Sequence, residues 1–281
     1  MPLTRVPLTD TRFLFRPVAT EFVAVLKQLQ PDDWLRPTVA GTWRVRDVVA
    51  HILDGVLRRL SFHRDGLPPP RPGRPLSSDS DFVEFINDVN AQWVTVSNRF
   101  SPRVLTDLLS TAGSELADFV EQLPLDAPAL FPVSWAGETI SEGWFDVGRE
   151  FTELWHHQAQ VRAAVDVDPL QDPRYLRAVL ELAVRGLPHA YRNVTAAEAS
   201  TVGLIVVGRS GGRWTLRRES DRWTIWEGAA DTPDAQVSLS EDAAWRLLFN
   251  ALSEVEATRE AHVSGNRDLA MPLLASRSVI V

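Results

Sequence analysis

Apolar positions recur at three-to-four spacing through most of the first two-thirds of the chain, and proline, glycine and serine cut the pattern into blocks. Residues 12 to 30 place Phe15, Val18, Phe22, Val25, Leu26 and Leu29 on one helical stripe, which Pro31 ends. After Gly41, a second stripe carries Val45, Val48, Val49, Ile52, Val56, Leu57 and Leu60. Thr42 is its expected cap, and Asp47 in the first turn suits the positive end of the helix dipole. The stretch LPPPRPGRPLSSDSD, residues 67 to 81, holds five prolines and reads as a loop. Helical spacing resumes from Phe82 to Phe100, breaks at Ser101-Pro102, and continues to Leu123. A loop from Pro124 to Gly143 then leads into a helix from Trp144 to about Val165, and one more covers Arg174 to about Ala190.

The texture changes after about residue 198. TVGLIVVG, GRWTLRRE and DRWTIWEG are short runs separated by SG and SD pairs, and two of them alternate apolar with polar. They predict an antiparallel meander. AQVSLS predicts a further strand, EDAAWRLLFNAL a helix, HVSG a short strand and NRDLAMPLLASR a last helix. The fold class is therefore α+β: a four-helix bundle over residues 1–195, followed by a small α+β domain over 196–281.

Composition narrows the function classes. The 281 residues are 44% hydrophobic and 23% charged, an ordinary globular balance, and no apolar run is long enough to span a bilayer. The opening MPLTRVPLTDTRFLFRP has no apolar signal core, so a cytoplasmic location is expected, with no membrane partner. A net charge of -8 argues against a nucleic-acid partner. The chain has no cysteine, which excludes disulfides, thiolate ligands and a protein thiol nucleophile. Any sulfur chemistry must use sulfur delivered on a small molecule. Lys27 is the single lysine, so Walker-type and most Schiff-base chemistry is excluded.

His51 falls beside the apolar stripe of the second helix, where a buried imidazole needs a partner. In REFTELWHHQAQVRAAV, Glu153 and His157 are four apart and share a helix face. Two readings stand at this point: a surface Glu–His pair, or two ligands of a divalent metal whose third comes from a facing helix. Two histidines and a carboxylate form an open ligand set for zinc, nickel or iron. Glu150 lies on nearly the same face as a competing carboxylate, while His156 points about 100 degrees away from His157.

The segment WLRPTVAGTWRVRDVVAHILDG, residues 34 to 55, resembles the signature of DinB-like helical bundles, and specifically the mycothiol-dependent maleylpyruvate isomerase family. Trp43, Val45, Asp47, Val48 and His51 match its Trp-x-Val-x-Asp-Val-x-x-His core. Glu153, Trp155, His157, Val161 and Arg162 match a second segment, Glu-x-Trp-x-His-x-x-Asp-Val-Arg, in which Gln160 replaces the usual aspartate. The ending VSGNRDLAMPLLASRSVIV resembles the close of a sterol-carrier-like domain. The resemblance implies a divalent metal, zinc first, held by His51, Glu153 and His157, with mycothiol as thiol cosubstrate. It also implies an arginine for the substrate's carboxylates. Arg99, Arg149 and Arg162 are near the motifs in sequence, each with a solvated guanidinium as the plainer expectation.

A thiol reaching such a metal would ionise and attack a small-molecule electrophile. In an isomerase it would add to a cis double bond and leave after rotation; in an S-transferase it would stay. Two alternatives share the sequence: a ligand-binding or regulatory protein that keeps the fold, for which Gln160 is the motive, and a hydrolase using metal-activated water. Of the tryptophans, Trp34, Trp43, Trp144 and Trp155 are placed to line a metal pocket. Trp214, Trp223, Trp226 and Trp245 are placed to fill the second core, with packing the expected role of most. No catalytic residue, substrate or oligomeric state follows from the sequence.

Overall fold

The computed structural model describes residues 3–75 and 77–279. The expected C-terminal segment therefore runs two residues, Ile280 and Val281, beyond the described residues. A short strand, β1 (Thr4–Arg5), opens the chain and precedes α1 (Phe15–Leu26). α2 (Val45–Arg59) continues through a π turn at Leu60–Arg64, and the proline-rich loop leads to α3 (Asp79–Ser97). α4 (Pro102–Glu121) and the 22-residue α5 (Gly143–Ala164) follow, with α6 (Pro173–Ala183) and α7 (Leu187–Ala190) after them. The bundle is α1, α2, α4 and α5; α3 packs on α2, and α6 on the other side of α5.

Local chemistry sets the helix ends. Ser78 and Ser101 accept from the backbone N–H groups of Asp81 (3.1 Å) and Val104 (3.3 Å), and Pro102 fills a first-turn position whose N–H would be orphaned anyway. At α2 the cap is not Thr42. Arg44 is the N-cap, and its N–H donates to Asp47 Oδ2 at 3.0 Å, so the carboxylate read as a dipole partner is also the cap acceptor. The single helix expected over Arg174–Ala190 is broken at Val184–Gly186 by a 3-10 turn, and Pro188 starts α7.

The C-terminal region holds β2 (Thr201–Val207), β3 (Gly212–Arg218), β4 (Trp223–Glu227) and β5 (Ala235–Ser240). Next come α8 (Glu241–Leu248), α9 (Glu254–Glu260), β6 (His262–Gly265) and α10 (Arg267–Leu274). The sheet order is β1-β4-β3-β2-β5-β6; the predicted meander is present, and β5 lies parallel to β2. Register aligns Val202, Leu204 and Val206 with Ala235, Val237 and Leu239, and Leu204 with Trp214, so one face carries the buried residues.

The two regions share one hydrophobic core. Trp155 of α5 meets Trp245 of α8 edge-on at 5.7 Å, and the Tyr191 hydroxyl donates to the carbonyl of Leu269 at 2.7 Å. These contacts bring the end of α8 over the side of α5. No helix among the described residues is long and apolar enough to cross a membrane.

Candidate metal centre and cavity

α5 is buried along nearly its whole length, yet the buried side chains include Asp146, Thr152, His156, His157, Gln158, Gln160 and Arg162. Burying so many polar groups on one helix is costly unless each is paired or used. Several are paired locally. Gln158 Oε1 accepts from Arg162 Nε at 2.7 Å, and His156 Nδ1 donates to the carbonyl of Thr152 at 2.8 Å while its ring stacks on Phe249 at 4.9 Å.

His51 from α2 and Glu153 and His157 from α5 converge, with one ligand-type atom of each within 4.8 Å of the others. His157 Nε2 lies 3.4 Å from Glu153 Oε2, and the His51 and His157 rings are 4.7 Å apart, edge to face. The i,i+4 pair is therefore turned inward, and the facing helix supplies the third group. Gln160 Oε1 accepts from His157 Nδ1 at 2.8 Å, and Nε2 is the ring nitrogen on the Glu153 side. The orienting role that an aspartate would fill is thus filled by an uncharged acceptor. Trp43 lies against His51, ring centroids 4.9 Å apart.

The electrostatics suit a cation. Burial, reinforced by His157, pushes the His51 imidazole well below the ordinary histidine range against the pull of Glu153. Burial alone would raise the Glu153 carboxyl, but His156 and His157 outweigh it and hold it below the usual carboxylate range. His156, pushed down to about 3 by burial and His157, is neutral as well. A neutral imidazole beside an ionised carboxylate is the protonation state that metal ligands require. His51 Nδ1 is buried without a hydrogen-bond partner, an orphan that a metal set of these residues would account for. The residues present therefore fit a divalent metal.

The three groups sit in the wall of a cavity of about 530 Å³. Beyond them, an ion-pair cluster joins α2 to α5. Arg59, 3% exposed, places Nη1 at 2.8 Å from Asp146 Oδ2 and Nη2 at 3.1 Å from Glu150 Oε1. Arg149 Nη2 is 3.0 Å from Asp146 Oδ1 and 2.6 Å from Glu150 Oε1. Despite burial, these guanidiniums hold the Asp146 carboxyl far below its ordinary value. Arg58 pairs with Asp54 at 3.0 Å.

Of the three arginines marked in the sequence, only Arg149 lines the cavity; Arg99 is exposed, and Arg162 is a buried tie between α5 and the carbonyl of Asp168. The solvated state expected of all three holds for Arg99 alone. Glu150, the competing carboxylate, is committed to arginines. Arg58 and Arg59 were not singled out, although Arg59 follows His51 by two i,i+4 steps through Gly55 and so shares its face. Of the four tryptophans placed near the pocket, Trp43 alone lines it. Trp34 is core, Trp155 meets Trp245, and Trp144 stacks on Phe145 at 5.2 Å.

Residues 15–162 match the sequence profile of the family described as mycothiol maleylpyruvate isomerase N-terminal domain. Among solved structures, the chain is similar to the mycothiol-dependent maleylpyruvate isomerase and to a histidine-to-alanine mutant of it. The TM-scores are 0.54 and 0.55 at 14% and 12% identity, over 93% of this chain and 95% of each of those. At that identity the likeness carries the fold. No curated protein matches the chain significantly.

Proposed function

The chain belongs to the mycothiol maleylpyruvate isomerase N-terminal-domain family, and from that premise we propose that it is a thiol-dependent enzyme, an isomerase or S-transferase. In this reading a divalent metal is held by His51, Glu153 and His157, and mycothiol is the nucleophile. The observation that carries the proposal is the convergence of two imidazoles and one carboxylate from two helices at a cavity wall. When bound, a divalent metal there supplies Lewis acidity and makes a thiol acidic near neutral pH; the ligand set favours zinc, with nickel and iron also suited.

The rest falls to the chain's own side chains. Gln160 fixes the tautomer of His157, and Trp43 holds the His51 ring in place. The apolar walls, Phe85 and Phe131 among them, exclude water from the reacting sulfur. With no cysteine in the chain, the sulfur comes on the cosubstrate. In S-transfer its S–H bond breaks and the proton passes to solvent; a sulfur–carbon bond forms, and the leaving group departs with its electron pair. In isomerisation the same sulfur adds to one carbon of a cis double bond and is expelled after rotation, so no net atom is gained.

The test is turnover with mycothiol of monobromobimane for transfer and of maleylpyruvate for isomerisation, on metal-loaded and chelator-stripped protein. The expected result is turnover that needs both metal and thiol with at least one of the two electrophiles. Rates with both that are indifferent to the metal, or a hydrolysis that proceeds without thiol, would contradict the proposal.

A further inference from the structure

Every guanidinium in the cavity wall is already matched. Arg58, Arg59 and Arg149 face Asp54, Asp146 and Glu150 at 2.6 to 3.1 Å. Arg58 Nη2 is further engaged by Asn90 Oδ1 at 3.3 Å. An arginine that recognises a carboxylate does so with a free two-pronged fork. In Arg59 both Nη groups are spent on Asp146 and Glu150, and in Arg149 Nη2 is shared between the same two carboxylates. The C-terminal region closes the cavity with Phe249, Asn250 and Val279, none of them charged. Arg149 Nε keeps a buried N–H with no partner, so this guanidinium can still donate to an acceptor oxygen of a ligand.

The remaining wall is largely apolar, with Asn87, Asn90 and Ser134 as its polar exceptions. α3 contributes Phe82, Phe85, Ile86 and Val89, and Phe62 and Phe131 add aromatic rings. Gly55 keeps part of this space open. It lies between His51 and Arg59 on their face of α2, and nothing comes within 4 Å of where a Cβ would stand. Glycine inside a helix costs roughly 1 kcal/mol against alanine, so the opening is maintained against the helix's own preference. A volume of about 530 Å³ is in the range that accepts a drug-sized ligand.

We infer that the electrophile this site accepts is an uncharged, largely apolar molecule with an aromatic or alicyclic body, and not a small dicarboxylate. The inference rests on the thiol-dependent reading above and names the substrate class for it. A dicarboxylate entering here would shed its hydration and meet guanidiniums already paired with Asp54, Asp146 and Glu150. An apolar ring loses nothing comparable and gains the contact area of the aromatic wall.

The test is calorimetric binding to the full-length protein, metal-free and metal-loaded, of 1,3-dinitrobenzene and of maleate. The first is uncharged and lacks a leaving group, so it reports occupancy without reaction. Dinitrobenzene should bind saturably to both forms, and at least about tenfold tighter than maleate. Gly55→Leu, which fills open space while improving helix propensity, should weaken dinitrobenzene about tenfold or more with no loss of thermal stability. Maleate binding as tightly as dinitrobenzene would overturn the inference, as would unchanged dinitrobenzene affinity in Gly55→Leu. Should that variant fail to fold, the ranking of the two ligands on the parent protein still decides. Metal content and thiol turnover on the same preparation separate the two claims. Their absence removes the thiol-dependent reading, whereas tight maleate binding removes only the substrate class.

Discussion

Asp146 is fully buried and takes hydrogen bonds from Arg59, Arg149 and the backbone N–H of Leu130, the last at 2.9 Å. It is the charge that allows Arg59 to lie inside the bundle. Asp146→Asn should therefore cost about 3–5 kcal/mol, the usual penalty for stranding one member of a buried ion pair. Because the folded carboxyl titrates well below its unfolded value of about 3.9, its contribution is present in full above that pH and fades as pH falls further. Denaturant unfolding of parent and variant should show the full gap at pH 7 and a narrowing gap below about pH 4. A gap that stays constant would contradict the assignment. At this scale the convergence of His51, Glu153 and His157 was legible, since Glu153 and His157 share a face by spacing and His51 falls in a matched motif. The Arg59–Asp146 pair was not: its members are 87 positions apart on different helices, and spacing along one helix says nothing of a partner on another. Gln160 was visible only as a departure from the family pattern; its hydrogen bond to His157 gives that departure a function in orienting the ring.

α5 carries two of the three converging groups, Glu153 and His157, so its start must be fixed. Gly143 opens the helix with its N–H 2.6 Å from the carbonyl of Ala127, and a Cβ there would stand 2.5 Å from that same oxygen. Since the oxygen belongs to backbone and cannot swing aside, Gly143→Ala should destabilise the protein by about 1–3 kcal/mol. A lowered Tm in thermal unfolding is the expected reading; an unchanged Tm would show that the 124–143 loop gives way freely. Most elements could be read from pattern because proline and serine mark the helix starts, and short apolar or alternating runs between turn pairs mark the strands β2 to β5. β1 could not be, for it is two exposed residues whose identity as a strand consists in pairing with β4. α9 had a signal that was passed over: Ser253 and Glu256 form a reciprocal capping box, with Glu256 Oε2 accepting from Ser253 N–H at 2.9 Å. The split between α6 and α7 follows from Gly186 and Pro188, which lie inside a continuous apolar stripe that masked them.

The cavity belongs to the molecule as a whole. Its walls come from α2, α3, α5 and the segment around Phe131, and the chain after α8 supplies Phe249, Asn250 and Val279 across a core that runs unbroken between the two regions. No single stretch of sequence encodes that volume, which is why the convergence of His51, Glu153 and His157 could be read and the chemical character of the space beside them could not. Across the boundary expected near residue 195, the His156 ring stacks on Phe249. The account stands on His51, Glu153 and His157 acting together as a metal site. The most direct measurement is elemental analysis of the full-length protein as purified and after reconstitution with zinc, beside His51→Ala and His157→Ala. The account predicts about one equivalent of a divalent metal per chain in the parent and little in either folded variant. A parent that takes up no metal even when reconstituted, or variants that hold as much as the parent, would contradict it.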